Sequence, residues 1–183
     1  SMEGNIAFIG GIHGVGKSSI CKLICSELNI EYLSASKLIK WGEINSDIKD
    51  KKVDNIIMTQ DLLMVGLSKY LIDKKYYLLD GHYCLLNSKN EISDVPFDTF
   101  RKMNLISLNI ILGDISEIKM HLELRDGKIY DYNLLEKMQY QELLYARKLS
   151  KSFGINLNIG SQNEYSEIID SVSKSIIFQT NNN

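Results

Sequence analysis

Arginine is scarce in this chain: Arg101, Arg125 and Arg147 are the only three, and most of the positive charge is lysine. A chain so poor in planar, bidentate forks has few ways to clamp a phosphate tightly, so the position of each arginine carries weight. Positive charge in general is not in excess, since the formal net charge is −2. That removes the broad basic field on which nucleic-acid coating depends. Cysteine is also sparse and odd in number, with Cys21, Cys25 and Cys84 showing no metal-ligand spacing. Cys21 and Cys25 lie four apart on an expected helix and read as small buried hydrophobes rather than a disulfide. No apolar run approaches the roughly 18 residues of a membrane span. No stretch reads as a signal peptide, so the expectation is a cytoplasmic protein with no membrane association.

What is present is ordinary globular material, 44% hydrophobic and 24% charged over 183 residues, enough for one well-buried core. Short apolar runs suited to buried strands are Asn5–Ile9, Ile30–Leu33, Tyr76–Leu79, Leu105–Leu112 and Ile155–Ile159. Helices are expected over 16–28, 34–41, 54–73, 115–125 and 133–153, with a last one striped by Tyr165, Ile168, Ile169, Val172 and Ile176. The polar stretch Asn87–Asp94 reads as a turn, the tip of a hairpin formed by its flanks, and Gly127–Tyr132 as an exposed loop. Strand and helix alternate without a linker or an internal repeat. The expectation is one α/β domain over 1–180, three layers, with a mainly parallel five-stranded sheet. The 54–73 helix is apolar nearly all round, which suits either the core or a homodimer face.

The chemistry begins at Gly10-Gly11-Ile12-His13-Gly14-Val15-Gly16-Lys17-Ser18-Ser19. Gly11, Gly16, Lys17 and Ser18 satisfy the phosphate-loop spacing G-x-x-x-x-G-K-[ST], directly after a strand and opening a helix. Glycines let backbone N–H groups turn in on an anion, and the helix N-terminus adds its dipole. Lys17 would reach the β- and γ-phosphates of ATP, and the Ser18 hydroxyl would bind Mg²⁺. Such a loop needs an acidic partner at the end of another buried strand, and Asp80 stands there. Asp80 is also a common turn-former before glycine.

The pair Asp80-x-His82 together with the loop resembles the archaeal-type adenylate kinases and their eukaryotic nuclear relatives. The likeness runs from Ile6 to about Ile177, and is strongest to small bacterial adenylate-kinase-like ATP-binding proteins carrying G-I-H-G-V-G-K-S and D-G-H. It implies sheet order 2-3-1-4-5, an acceptor arm over about 34–73, and a short lid over about 125–132. It also implies that Asp80 orients Mg²⁺ and that His82 lies near the transferring phosphate; an anchor for the Gly81 turn is the alternative. In the family the lid helix ends Arg-Leu-x-x-Arg. Here that stretch is His121-Leu122-Glu123-Leu124-Arg125. Arg125 thus takes the place of the phosphate arginine and His121 that of the base-stacking one, although a helix-end arginine also complements the helix dipole.

On the acceptor side, Lys40 falls where the family has an arginine and Ser36 where it has a glycine, and Trp41 could stack on a base or simply pack. Gln60 would read an acceptor base edge, or bond backbone within the core. Glu142 sits inside the apolar stripe of the 133–153 helix. It would pair with Arg125, Lys17 or another base, or else lie at the stripe's exposed edge. The resemblance implies phosphoryl transfer from Mg²⁺–ATP, of the nucleoside-monophosphate-kinase type, to a small phosphate acceptor. A kinase for the hydroxyl of a small metabolite or a nucleic-acid 5′ end is one alternative, and the absence of a basic face argues against the nucleic acid. An ATPase switch with a protein or RNA partner is the rival, and the missing acceptor arginine favours it.

Overall fold

Every residue of Ile6–Gly10 is buried, and this strand, β1, lies at the centre of the sheet. Ile6 and Phe8 join the core on one face while Ala7 and Ile9 join the core on the other, which is why the run shows no polar alternation. The computed structural model describes residues 5–45, 56–70 and 75–181, with side chains described over 5–40, 59–69 and 75–181.

Helix α1 (Lys17–Leu28) leads to β2 (Glu31–Ser34), then α2 (Ala35–Asn45) and α3 (Ile56–Tyr70). Strand β3 (Tyr77–Asp80) is followed by the small antiparallel pair β4 (Cys84–Leu86) and β5 (Ile92–Asp94). A short α4 (Phe97–Arg101) precedes β6 (Leu105–Leu112), α5 (Ile115–Asp126), α6 (Tyr132–Phe153), β7 (Leu157–Ser161) and α7 (Ser166–Asn181). The five-stranded sheet has order β2-β3-β1-β6-β7 and all its pairings are parallel. With the hairpin set aside this is the expected order 2-3-1-4-5.

One face of the sheet is covered by α6 and by the arm helices. Its core joins Phe8, Tyr83, Phe100 and Tyr145, whose rings meet mostly edge to face, with Leu38, Leu63 and Leu67. The other face is covered by α1, α5 and α7 through Ile20, Ile24, Ile118, Ile168 and Val172. In the arm, α2 and α3 lie against each other. A Cβ on Gly66 would stand 2.4 Å from the Leu38 carbonyl oxygen, so only glycine permits that approach. Residues 46–55 and 71–73 of the expected arm lie outside the described residues, as does the Trp41 side chain.

Several boundaries differ from expectation, three of them for local reasons. The hairpin turn is confined to 87–91 because Asn87 Oδ1 accepts the Lys89 and Glu91 N–H groups, each at 2.9 Å, and this frees Ile92–Asp94 to pair as β5. Helix α6 starts at Tyr132 because the Asp131 side chain caps it, accepting Leu134 N–H at 3.2 Å. The last strand runs Leu157–Ser161, two residues later than expected, since Gly154 in the left-handed region closes α6 first and the chain must then reach the sheet. Among the described residues no helix is long and apolar enough to cross a membrane.

Candidate active site

Between β1 and α1 the backbone takes left-handed turns at Gly14 (φ 86°) and Gly16 (φ 84°), which side chains other than glycine rarely adopt. Helix α1 begins at Lys17 with no side-chain cap, so the donors of its first turn have no capping acceptor and point at the loop. A backbone cradle joined to an uncapped helix N-terminus is built to receive an anion. Val15 holds the loop down from the other side: it is buried, among Ile118 and Gly113. Its expected contribution to an anion is therefore a backbone one.

Lys17 is buried, and its Nζ donates to Asp80 Oδ1 and to the Gly81 carbonyl at 2.5 Å. The second oxygen of Asp80 accepts Tyr32 O–H at 2.8 Å. Register explains the meeting: β1 and β3 pair in parallel with Ile9 opposite Asp80, so the end of β3 arrives beside the loop. Burial and the hydrogen bond to Asp80 push the Tyr32 hydroxyl well above its usual range, which keeps it a neutral donor.

His82 continues this edge. Its Nδ1 lies 2.8 Å from the Gly11 carbonyl oxygen, which can only accept, so Nδ1 carries the proton. Burial, then the nearby Lys17 charge, holds the ring well below the usual imidazole range and neutral. Nε2 is then the basic nitrogen. The His13 ring packs beside it, centroids 4.4 Å apart; although the residue is exposed, desolvation by the atoms around it and the Lys17 charge lower it too. His82 thus does anchor the turn, through Gly11 rather than Gly81, and it also faces the cavity.

Glu142 is fully buried but, among the described residues, forms an ion pair with neither Arg125, Lys17 nor another base. Its carboxylate accepts Gly11 N–H at 2.9 Å and Cys84 N–H, tying α6 to the loop and to the hairpin. A backbone amide satisfies a buried carboxylate without bringing in a second charge. Burial nonetheless raises its pKa to about 7, against the pull of those amides and Lys17.

These elements enclose a cavity of about 510 Å³. Its floor is Gly14, Gly16, Lys17 and Ser18, and its back edge Asp80, Gly81 and His82. His121 and Arg125 reach it from α5, and Ser36 from α2. Lys40 is exposed and does not line it, while Lys37, three residues earlier on the same helix, does, together with Lys22, Tyr32 and Ser34. Gln60 is buried in α3 away from the cavity lining. Arg125 is held by its neighbour: Nε and Nη2 donate to the two oxygens of Asp126 at 2.7 and 2.9 Å, and Tyr130 O–H also donates to Asp126. Lys22, Lys37 and Tyr32 carried no sequence motif; Lys22 reaches the cavity from α1, while the β2–β3 pairing and the turn into α2 bring Tyr32 and Lys37.

Ser18 and Asp80 present oxygen donors to one cavity, the ligand type that Mg²⁺ takes. No three His, Cys, Asp or Glu side chains converge among the described residues. A Mg²⁺ here would therefore complete its shell with phosphate oxygens and water, which suits that ion.

A family profile described as "AAA domain" matches residues 10–139, from the loop to the middle of α6. The chain belongs to this AAA-domain family. No curated protein sequence matches it. Among solved structures, this AAA domain is similar to a shikimate kinase from Acinetobacter baumannii in complex with shikimate, at 11% identity and TM-score 0.58, covering 97% of this chain and 94% of the other. It is similar also to the YorR protein of Bacillus subtilis in complex with phosphorylated GDP, at 17% identity and TM-score 0.53, covering 96% and 95%. The fold of the domain is thus that of P-loop kinases, as the loop and the sheet order had implied.

Proposed function

We propose that the protein is a Mg²⁺–ATP-dependent phosphotransferase acting on a small acceptor, of the adenylate-kinase-like kind that its motifs resemble. The observation that carries the reading is the single cavity in which the phosphate loop, Asp80, His82 and Arg125 meet a second wall of Ser34, Ser36 and Lys37. A site for hydrolysis alone needs no such wall. Its lysine and hydroxyls suit an acceptor that carries negative charge or hydroxyl groups.

In this reading the loop amides and Lys17 hold the β- and γ-phosphates. Lys17 exchanges Asp80 for phosphate oxygen, and Asp80 and Ser18 would hold Mg²⁺, which would supply charge neutralisation to the phosphates. An acceptor oxygen forms a bond to the γ-phosphorus as the bond to the β–γ bridging oxygen breaks, and ADP leaves with that electron pair. Arg125 and Lys17 stabilise the charge on the transferring group. A phosphate acceptor needs no base. For a hydroxyl acceptor, Asp80 is the carboxylate at hand, and neutral His82, with Nε2 unprotonated, is the second group able to receive the proton.

Incubation with Mg²⁺–ATP, alone and with each nucleoside monophosphate or small polyol, tests this by following ADP and phosphorylated product. Acceptor-dependent product is expected. ADP formed without acceptor and unchanged by every one of them would instead establish the ATPase-switch reading, which the lack of an arginine on the acceptor wall favours.

A further inference from the structure

A second cavity, of about 170 Å³, opens between the hairpin strand β4 and helices α5 and α6. Its wall is apolar: Leu86 from β4, Leu122 from α5, and Leu134, Leu135 and Met138 from α6. Ile12, His13 and Arg125 line both this cavity and the large one, so the two share a boundary at the tip of the phosphate loop. Tyr130 and Asp131 close its polar rim.

The position of the shared boundary decides which ligand it could serve. Lys17 Nζ, which reaches the β- and γ-phosphates, lies at Asp80 and Gly81. His82 follows at that edge and His13 packs on it, so the boundary stands at the γ end of the cradle. Gln162, in the turn after β7, lies near Gly16 at the opposite, helix end of the loop, 3.4 Å from where its Cβ would stand. A nucleotide with its β- and γ-phosphates at Lys17 would run its α-phosphate and base toward that second end. Whatever enters the apolar cavity therefore lies beyond the γ-phosphate, on the side of the group that receives it.

Volume and chemistry then restrict the occupant. An apolar cavity of about 150 Å³ remains dry and takes a single benzene-sized ring. Away from the rim of His13, Arg125, Tyr130 and Asp131 the wall is leucine and methionine, which would leave most hydroxyls of a polyol without partners. We propose that this pocket seats one apolar ring of the acceptor, its reacting oxygen on a short arm directed past His13 and Arg125 toward Lys17. The pocket thus belongs to the acceptor site and rests on the phosphotransferase reading above. It lies apart from the Ser34, Ser36 and Lys37 wall of the large cavity, which would hold the charged or hydroxyl-bearing part of the same acceptor.

Benzyl alcohol, a single ring with a one-carbon hydroxyl arm, is the probe, and glycerol supplies hydroxyls without a ring. In methyl-labelled protein with Mg²⁺–ADP, benzyl alcohol is expected to shift the Met138, Leu122 and Leu134 methyl signals, and glycerol to leave them in place. Leu86→Trp, at an exposed hairpin position, should fill the mouth and weaken benzyl alcohol at least tenfold. Met138→Trp provides a second block from α6, with the amide spectrum of each variant reporting its fold. Absence of methyl shifts, or equal affinity in both folded variants, would overturn the proposal. A Mg²⁺–ADP titration of the unsubstituted protein, read at the Gly14 and Lys17 amides, tests the underlying reading separately. Methyl shifts with silent amides would sink the assignment to an acceptor while leaving a ring-binding pocket.

Discussion

The Glu142 carboxylate accepts the Gly11 N–H at 2.9 Å, between residues 131 apart in sequence, and its other oxygen accepts Cys84 N–H. One buried side chain thus fixes the first turn of the phosphate loop and the start of the hairpin to α6. Glu142→Ala leaves both amides buried without an acceptor, at about 1–3 kcal/mol each. Urea denaturation should show a loss of that order. A stability unchanged to within about 0.5 kcal/mol, the usual range for surface substitutions, would remove Glu142 from this role.

The same carboxyl predicts a pH dependence. Burial raises its pKa from 4.5 to about 7 in the folded protein. Between those values the folded state binds a proton that the unfolded chain does not. The resulting stabilisation is fully present below about pH 4.5 and is lost as pH rises through about 7, a change of about 3 kcal/mol at most. Glu142→Gln cannot titrate, so the difference in stability between it and the unsubstituted protein should vary over this window and level off above it. A difference that is flat from pH 5 to 8, by thermal denaturation, would contradict the shifted carboxyl.

Lys17→Ala should abolish ATP-dependent turnover while the circular dichroism spectrum is retained, because its ammonium, among the described residues, bonds to Asp80 and the Gly81 carbonyl at the cavity floor rather than within the core. Unchanged turnover would show that the loop does not hold the reacting phosphates.

Arg125→Ala should lower kcat by about 10²–10³, the cost of removing a donor aimed at developing charge. Its side chain is 58% exposed, so the melting temperature should hardly move. Asp126→Asn weakens the pair that holds the guanidinium in place. The expected result is a smaller fall in kcat, with Arg125 still present but less well oriented. Equal falls in the two variants, from steady-state assays, would mean that orientation by Asp126 is the whole of the effect.

Much of this arrangement was legible in the sequence because local rules fixed it. The loop's glycines, Lys17 and Ser18 declare themselves by spacing, and the buried runs at Ile6–Gly10 and Tyr77–Asp80 had no alternative to a central parallel sheet. What could not be read depends on register and on distant packing. Lys37 rather than Lys40 lines the cavity because of the direction in which α2 leaves β2, which no motif encodes. Glu142 was conspicuous as a carboxylate in an apolar stripe, but its partners are backbone amides, and these leave no trace in residue identity. The short α4 and the exact extent of the hairpin escaped for a related reason. The hairpin's end is set by the contacts of Asn87 with its own turn, and α4 follows Pro96 with no side-chain cap to announce it.

That turn has a practical use. Because Asn87 closes it internally, the tip is sewn shut without help from the rest of the molecule, and Ser88 and Lys89 are exposed upon it. A fluorophore attached at Ser88 would ride on the strand that supplies Leu86 while leaving its pairing intact. The protein therefore offers a built-in mounting point from which movements at the rim of the catalytic cleft can be watched one molecule at a time.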